Sequence, residues 1–310
     1  MKLISFIIPC YCSVGTIESV TKEIQDTIRN NNKYEYEIIL VNDYSPDNTF
    51  EVISKLCKDK KIKALSLSRN FGQHAAIMAG LAKAKGDIIV CLDDDGQTPA
   101  NEVYKLLEKI EDGLDVVYAQ YESKKHSIFR NFASYINEIM ARSLINKPKN
   151  LYLSSYFAMQ RFVVDEILKY NNSYPYLAGL VLRSTKSIAN VNVNHRERSQ
   201  GQSGYNLKKL LGLWLNGFTS FSIKPLRIAT ALGIVLAVVG FAIGIYAIVN
   251  KLVNNDVPIG WSSLIACNVF VGGVILFMLG MIGEYIGRIY ISINNNPQYV
   301  VKKTINMEDE

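Results

Sequence analysis

Two hydrophobic patterns alternate along the first hundred residues of the chain. Short runs rich in β-branched residues, typical of buried strands, are separated by longer segments whose apolar residues have helical spacing. The predicted strands are residues 3–8, 36–41, 62–67 and 87–92. The predicted helices between them are residues 16–29, 47–58 and 72–83. This alternation predicts parallel βαβ units with right-handed crossovers, in which ligands bind at the carboxyl ends of the strands.

The pattern continues less regularly to about residue 205. A helix is predicted at residues 99–111, a strand at 114–119, a helix at 127–145, and strands at 154–161 and 187–193. The helix at 127–145 has an apolar stripe, which is usually core but also suits the surface of a bilayer. We therefore assign residues 1–205 to one α/β domain.

The last third of the chain is strongly apolar. Residues 228–249 and 261–283 contain no charged side chain, and each run is long enough to cross a hydrocarbon layer about 30 Å thick. Residues 206–225 combine lysines with leucines and a tryptophan, which is typical of an amphipathic helix at an anionic lipid surface. We predict two transmembrane helices within residues 226–290 and a cytoplasmic tail at 291–310. Two buried core helices are the alternative.

Basic residues near the two apolar runs predict their orientation. Lys224 and Arg227 precede the first run, and Arg288 and Lys302 follow the second, whereas the short connection between the runs has one lysine and one aspartate. The positive-inside rule places both termini, and hence the α/β domain, in the cytoplasm. The prediction is a multi-pass protein of the inner (cytoplasmic) membrane.

Composition agrees with this division. The chain has 310 residues, of which 49% are hydrophobic, so it has ample apolar material for a core as well as for the membrane segments. Its five cysteines have no metal-site spacing beyond the close pair Cys10 and Cys12, so neither a zinc site nor a disulfide framework is predicted. Residues 1–9 form too short an apolar run for a signal peptide. We expect thiols in a reducing compartment and no nucleic-acid partner.

The strand predicted at 87–92 ends at three successive carboxylates, Asp93, Asp94 and Asp95. Because side chains alternate along an extended backbone, Asp93 and Asp95 should point one way and Asp94 the other. Two carboxylates with the amide oxygen of Gln97 nearby are hard ligands for Mg²⁺ or Mn²⁺, which commonly binds protein through one or two carboxylates together with substrate phosphates. A solvated acidic turn is the alternative for such a loop taken alone.

The other predicted strand ends carry polar and aromatic residues that should meet this loop at one edge of the sheet. Tyr11 suits packing against a nucleobase, although half-buried packing is the alternative. Asp43 is a candidate acceptor for a base or ribose, and Arg69 and Asn70 are candidates for phosphate or ribose. The chain has neither the Gly-x-Gly-x-x-Gly fingerprint nor a phosphate loop. A nucleotide bound here therefore requires a metal ion for its phosphates.

Four motifs together resemble glycosyltransferase family 2, and most closely its polyprenyl-phosphate branch. They are residues 7–11 (IIPCY), 41–49 (VNDYSPDNT), 69–74 (RNFGQH) and 92–97 (LDDDGQ). The resemblance implies a Rossmann-like GT-A catalytic domain, a nucleotide-sugar donor and inversion at the anomeric carbon. It also implies that Asp93 and Asp95 hold a divalent ion and that Gln97 belongs to the same site. Donor binding is assigned to the strand end at Pro9 and Tyr11 and to the acidic run, including Asp94.

The resemblance extends to the acceptor side. Arg130 and Ser134, four residues apart on one predicted helix face, resemble the family residues that approach the lipid phosphate. The loop at 195–205 resembles the family's Arg-x-x-Gly-x-Ser-x-Tyr segment, which assigns Arg198, Ser203 and Tyr205 to the acceptor phosphate and the leaving group. From its charge alone, Arg196 with Arg198 suits folding over a diphosphate.

Six positions depart from the family pattern. Cys12 and Ser13 replace an Asn-Glu pair, Tyr44 stands where glycine is common, Asp94 where a small residue is usual, Ser155 where many relatives have an aspartate, and Gly204 where many have lysine. The departure at position 155 removes a candidate base. A phosphate acceptor tolerates this, because it is already anionic near neutral pH.

The expected function is transfer of a sugar, with UDP-sugars favoured as donors, to a polyprenyl phosphate such as undecaprenyl phosphate. The transfer would serve assembly or modification of cell-envelope glycans, with association into a homo-oligomer left open. Two alternatives remain in the same fold: a polysaccharide-elongating synthase and a non-catalytic nucleotide-sugar scaffold. A lipid-linked-sugar translocator is the alternative from another class, but it would not need a metal-nucleotide site.

Overall fold

The structure is a computed structural model that describes residues 1–121 except 30 and 32, residues 147–194 and 196, part of 230–253, residues 260–293, and residues 296–307. The chain divides into two compact units, residues 1–206 with 295–310 and residues 207–294. Each unit is described by itself.

A mixed sheet forms the centre of the first unit, with eight strands among the described residues. They are β1 (Lys2–Cys10), β2 (Tyr34–Asn42), β3 (Ile62–Leu67), β4 (Ile88–Cys91), β5 (Val116–Tyr121), β6 (Phe157–Gln160), β7 (Ile188–Val193) and β8 (Val301–Ile305). Their order is β7-β5-β6-β4-β1-β2-β3-β8. The pairs β1–β2, β2–β3 and β1–β4 are parallel, as predicted. Strands β6 and β8 run antiparallel to their neighbours.

Helices cover this sheet. They are α1 (Ile17–Arg29), α2 (Thr49–Leu56), α3 (Gln73–Lys83), α4 (Val103–Glu111) after a 3₁₀ turn (Ala100–Glu102), α5 (Arg161–Leu168) and α6 (Leu177–Ser184). The first four agree with the sequence prediction to within a few residues. Helices α5 and α6 were not predicted, because eight-residue helices show little more than two turns of hydrophobic spacing. The helices predicted at 127–145 and 206–225 lie outside the described residues.

Burial on both faces explains the continuous apolar runs of the central strands. Ile4, Phe6 and Ile8 of β1 belong to the core cluster that also contains Ile17 and Ile24 of α1. Every residue of β1 from Ile4 to Cys10 is buried, including those whose side chains alternate to the other face. The strand register aligns Cys10 with Asn42 and Asn42 with Ser66, so the carboxyl ends of β1, β2 and β3 lie side by side.

β8, close to the end of the chain, is a strand within the segment 291–310, for which the sequence predicts only a cytoplasmic tail. It pairs antiparallel with β3 at the edge of the sheet. The pairing extends by one further bond, in which the Ser68 N–H donates to the Val300 carbonyl at 2.8 Å. The segment after the apolar helix therefore completes the sheet of the first unit, beside the loop that carries Arg69.

Asn306 fixes the end of this strand. Its backbone lies in the left-handed region (φ +59°), and its side-chain amide donates to the carbonyls of Cys57, Asp59 and Ile62 at 2.6, 3.3 and 2.8 Å. We expect Asn306→Ala to lower the free energy of unfolding by about 1–3 kcal/mol, because these carbonyls lose their donor. Chemical unfolding measures this, with the exposed neighbour Thr304→Ala as control. Equal stability of the two variants would contradict the expectation.

The second unit contains α7 (Trp261–Ile293), a helix of 33 residues. Its segment Phe270–Gly287 is long and apolar enough to cross a membrane, and it is one such helix within the described part of the chain. Of the first predicted span, only some residues between 230 and 253 are described, and these are helical. A Cβ atom on Gly233 would lie 3.5 Å from Met278 Cε, so the first apolar run approaches α7 at this point.

Candidate functional site

The loop that contains Asp93, Asp94 and Asp95, here called the acidic loop, follows β4 at the edge of the sheet where the parallel strands end. Asp93 accepts a hydrogen bond from Gln73 Nε2 at 2.9 Å on one oxygen and one from the Ser155 hydroxyl on the other. Asp94 instead accepts the Tyr11 N–H at 3.1 Å together with the Ser13 hydroxyl. The carboxylates of Asp93 and Asp94 thus face different neighbours. Asp94 ties the end of β1 to the acidic loop.

The Asp93 and Asp94 carboxylates are partly buried and lie close to other negative charges. Burial raises the pKa of Asp93 to about 6; the charges of Asp95 and Asp94 add to this rise, and the hydrogen bonds from Ser155 and Gln73 oppose it. Burial also raises the pKa of Asp94, and its bonds from Ser13 and Tyr11 act in the opposite direction. A carboxylate pKa rises in this way when the anionic form lacks a compensating cation.

The donor set fits a divalent ion bound jointly with a nucleotide. In the described part of the chain, no group of three or more His, Cys, Asp and Glu side chains converges into a metal cage. An ion held partly by substrate phosphates needs only one or two protein carboxylates, and Asp93 and Asp95 are the predicted candidates. The Gln97 N–H donates to Asp95 Oδ1 at 3.1 Å, so the predicted glutamine lies beside this carboxylate. A bound cation would favour the anionic form of Asp93, whose pKa is raised by burial and, to a smaller extent, by the charges of Asp95 and Asp94.

Asp43, at the end of β2, shapes the neighbouring loop. Its buried carboxylate accepts the Phe71 N–H at 2.7 Å and the Gly72 N–H at 2.8 Å. The Asn70 amide donates to the Asp43 carbonyl at 3.3 Å. Gly72 has φ +90°, a conformation that side-chain-bearing residues rarely adopt. Because both N–H groups already occupy the carboxylate, the predicted contact of Asp43 with a base or ribose stays a prediction.

The other residues predicted to bind the nucleotide sugar lie at the ends of β1 and β3. Pro9 lies within β1 opposite Val41. Tyr11 is about half exposed. Arg69 is exposed, and its guanidinium carbon lies 4.6 Å from the centre of the Phe71 ring. These positions agree with the prediction that the four strand ends gather at one edge.

The loops after β1 and β2 each contain a residue with positive φ, a backbone conformation that glycine adopts readily. Tyr44 has φ +55° and Cys12 has φ +57°. The Cys12 N–H donates to the Ser45 hydroxyl at 3.2 Å, which links the loops after β1 and β2. The turn at Tyr44 is therefore the one that a glycine would adopt, although the side chain is large and about half exposed.

Sequence reasoning missed several residues of the site. Gln73 and Ser155 hold Asp93, although Ser155 was identified only as a departure from an aspartate. The Tyr121 hydroxyl lies 3.1 Å from Thr98 Oγ1. Burial raises the pKa of Tyr121 to about 12, and the charges of Asp93 and Asp95 are among its further causes. No signal in the sequence indicated Tyr121, because it lies two residues beyond the strand predicted at 114–119 and outside the four family motifs.

The acceptor side is only partly described. The predicted residues Arg130, Ser134, Arg198, Ser203 and Tyr205 lie outside the described residues. Arg196 is described, and its guanidinium donates to both carboxylate oxygens of Glu23 at 2.9 and 3.0 Å. Arg196 thus forms an ion pair with α1, and its suggested contact with a diphosphate stays a prediction.

Comparison with known families assigns the chain. Residues 5–168, more than half of its length, match the family described as Glycosyl transferase family 2. The chain belongs to glycosyltransferase family 2. Residues 224–289 match a second family, the GtrB C-terminal hairpin. The resemblance inferred from the four motifs is therefore confirmed, and the family-2 match covers the strand ends and the acidic loop described above.

Curated relatives cover nearly the whole chain. A glycosyltransferase of Bacillus subtilis, YkcC, is 33% identical over 310 residues, which is 99% of this chain and 95% of the relative. An undecaprenyl-phosphate 4-deoxy-4-formamido-L-arabinose transferase of Proteus mirabilis is 32% identical over 317 residues, 98% of this chain and 94% of the relative. A transferase of the same name from Yersinia enterocolitica is 33% identical over 278 residues, 88% of this chain and 85% of the relative.

Solved structures confirm the GT-A fold. Glucosyl-3-phosphoglycerate synthase of Mycobacterium tuberculosis, in complex with Mn²⁺, UDP-glucose and phosphoglyceric acid, superimposes with a TM-score of 0.53. The match covers 71% of this chain and 79% of that one at 18% identity. At this identity the similarity concerns the fold alone.

Proposed function

We propose that this family-2 enzyme transfers a sugar from a nucleotide-sugar donor to a polyprenyl phosphate, with inversion at the anomeric carbon. The observation that carries the proposal is the acidic loop, which lies at the common end of the parallel strands in contact with the Tyr11 loop, Gln73 and Ser155. The full-length similarity to undecaprenyl-phosphate sugar transferases supports the acceptor class.

On the donor side, Asp93 and Asp95 would hold Mg²⁺ or Mn²⁺ against the diphosphate. When bound, such an ion neutralises the leaving diphosphate as its bond to the sugar breaks. Ser155 and Gln73 orient the Asp93 carboxylate, which keeps its oxygens aimed while the donor enters. Arg69 and Tyr11 are exposed at the same edge and would contact the phosphates or ribose and the base. UDP is the favoured nucleotide because a neighbour of the same fold binds UDP-glucose with Mn²⁺.

On the acceptor side, a phosphate monoester carries its own nucleophilic oxygen anion. Its attack on C1 of the sugar, from the face opposite the diphosphate, needs no strong general base. This accounts for Ser155, whose hydroxyl orients Asp93 instead of taking a proton. Arg130, Ser134, Arg198, Ser203 and Tyr205 are proposed to bind the lipid phosphate and the developing charge.

The C-terminal part would anchor the enzyme at the membrane that contains its acceptor. Support comes from the apolar segment Phe270–Gly287 and from the match of residues 224–289 to a C-terminal hairpin. We propose two spans in the inner membrane, with the catalytic domain and both termini in the cytoplasm. Association into a homo-oligomer through the spans belongs to the same proposal.

A transfer assay tests this function. Detergent-purified protein is incubated with Mn²⁺ or Mg²⁺, radiolabelled nucleotide sugars and undecaprenyl phosphate, and label is counted in the organic phase. We expect label from at least one donor, dependent on both lipid and metal. Label in a water-soluble polymer would instead indicate a glycan-elongating synthase. Metal-dependent nucleotide binding without transfer from any donor would indicate a scaffold.

A further inference from the structure

Glu23 of α1 lies outside the motifs of the sequence analysis, yet it joins two segments of the site. Its carboxylate forms the bidentate ion pair with Arg196 at 2.9 and 3.0 Å. One of the same oxygens also accepts the Ala100 N–H at 3.0 Å. A single carboxylate on α1 therefore binds both Ala100, which follows the acidic loop, and Arg196, which lies 173 positions after Glu23 in the chain.

The bond from Arg196 to the acidic loop completes this connection. The Arg196 N–H donates to the Gln97 carbonyl at 2.7 Å, while the Gln97 N–H donates to Asp95. The loop turns at Gly96, which has φ +68° and whose position lies 3.6 Å from Val20 of α1 when a Cβ is placed on it. Val20 and Glu23 are three residues apart and share a helix face. The loop from Gly96 to Ala100 is thus fixed from the side of α1.

The segment before Arg196 is fixed independently. Asn194 donates its N–H and its side-chain amide to Glu102 at 3.2 and 2.7 Å. Glu102 is buried and also pairs with Lys105 at 2.6 Å. The chain after β7 is therefore held at Asn194 by Glu102 and, two residues later, at Arg196 by Glu23.

We propose that Glu23 is a positioning residue, which, given the proposed function, holds Asp95 and Gln97 in the geometry that receives the metal-bound donor. The Glu23–Arg196 side chains are 32% and 53% exposed. Exposed ion pairs contribute about 0–1 kcal/mol to stability. The pair thus adds little to folding, whereas groups that orient metal ligands change metal affinity or activity by about 10–100-fold.

Mn²⁺ binding to the full-length protein in detergent tests this proposal, because it can be followed by the electron paramagnetic resonance of free Mn²⁺ in the presence of UDP. Glu23→Gln keeps an acceptor for Ala100 but loses the ion pair, and Glu23→Ala loses both. We expect Mn²⁺ affinity to fall about 10-fold in Glu23→Gln and further in Glu23→Ala. The thermal unfolding midpoint should move by no more than about 4 °C.

Two comparisons sharpen the test. Asp165→Asn breaks a similarly exposed ion pair with Arg161, at 2.9 Å, elsewhere on the surface, and should leave Mn²⁺ affinity and unfolding unchanged. Arg196→Gln combined with Glu23→Gln should be no worse than the more impaired single variant, because both act through one contact. Wild-type Mn²⁺ affinity in Glu23→Ala, or a loss of affinity that parallels a loss of stability, would overturn the proposal. Absence of sugar transfer in the wild type would overturn the proposed function but leave this binding test intact.

Discussion

Asp95→Asn is expected to reduce sugar transfer by about 10²–10³-fold or more, the range found when one preorganised group that stabilises the leaving charge is removed. The substitution keeps an oxygen that accepts the Gln97 N–H, which the wild-type carboxylate accepts at 3.1 Å. The turn at Gly96 should therefore persist, and only the negative charge is lost. Because that charge is proposed to hold the divalent ion, donor binding in the presence of Mn²⁺ should weaken in parallel.

The measurement is initial-rate transfer of label into undecaprenyl phosphate, with Asp112→Asn as the control. Asp112 is an exposed carboxylate at the end of α4, and it pairs with Lys109 at 2.8 Å. It is not part of the acidic loop, so its variant should transfer at the wild-type rate. Metal dependence should remain in the control. An Asp95→Asn variant that transfers at more than about a tenth of the wild-type rate would contradict the assignment of this carboxylate as a metal ligand.

The sequence predicted the parallel half of the sheet well because that half is built from local signals. Each of the strands β1 to β4 is a β-branched run followed by a helix with clear spacing, so its type and neighbours follow from pattern and chirality. β8 has no such signal. It is a short edge strand with the burial pattern of an exposed segment, and it exists because β3 offers it unpaired backbone groups.

The same distinction applies to the site. The acidic residues and strand ends were predicted because the carboxyl ends of parallel strands share one edge. The partners that orient them were not. Ser155 lies in the loop before β6, 62 residues after Asp93, and Glu23 acts through a residue of another loop. Such contacts depend on tertiary packing, which leaves no spacing pattern in the sequence.

Glu37→Ala is expected to lower the free energy of unfolding by about 3–5 kcal/mol, the cost of removing one partner from a buried ion pair. Glu37 is only 5% exposed. It accepts the Ser5 hydroxyl at 2.5 Å, the Lys63 ammonium at 2.6 Å and the Lys85 N–H at 2.7 Å. Its removal leaves a largely buried lysine without its carboxylate and two donors without an acceptor.

Cysteine labelling of the full-length protein during urea unfolding provides the measurement. Cys10, Cys57 and Cys91 are buried in the first unit, whereas Cys12 and Cys267 are exposed. Cys12 reacts at once with a maleimide dye, Cys267 lies within the proposed membrane span and is replaced by serine in all variants, and the three buried thiols react as the catalytic domain unfolds. The protection of the buried thiols therefore reports on the unit that contains Glu37.

The control is Glu35→Ala, an exposed glutamate on the same strand, which should change the unfolding free energy by no more than about 0.5 kcal/mol.

The pH dependence supplies a second check. Burial acts to raise the pKa of Glu37, but the bonds from Lys63, Ser5 and the Lys85 N–H together hold it below its ordinary value of 4.5. A carboxylate whose pKa is lower in the folded state stabilises the protein above its unfolded pKa, and this stabilisation is lost as pH falls through the folded pKa. The difference between wild type and Glu37→Ala should therefore be full at neutral pH and shrink below about pH 4. A difference that is small at neutral pH, or that grows on acidification, would show that Glu37 does not stabilise the sheet as an anion.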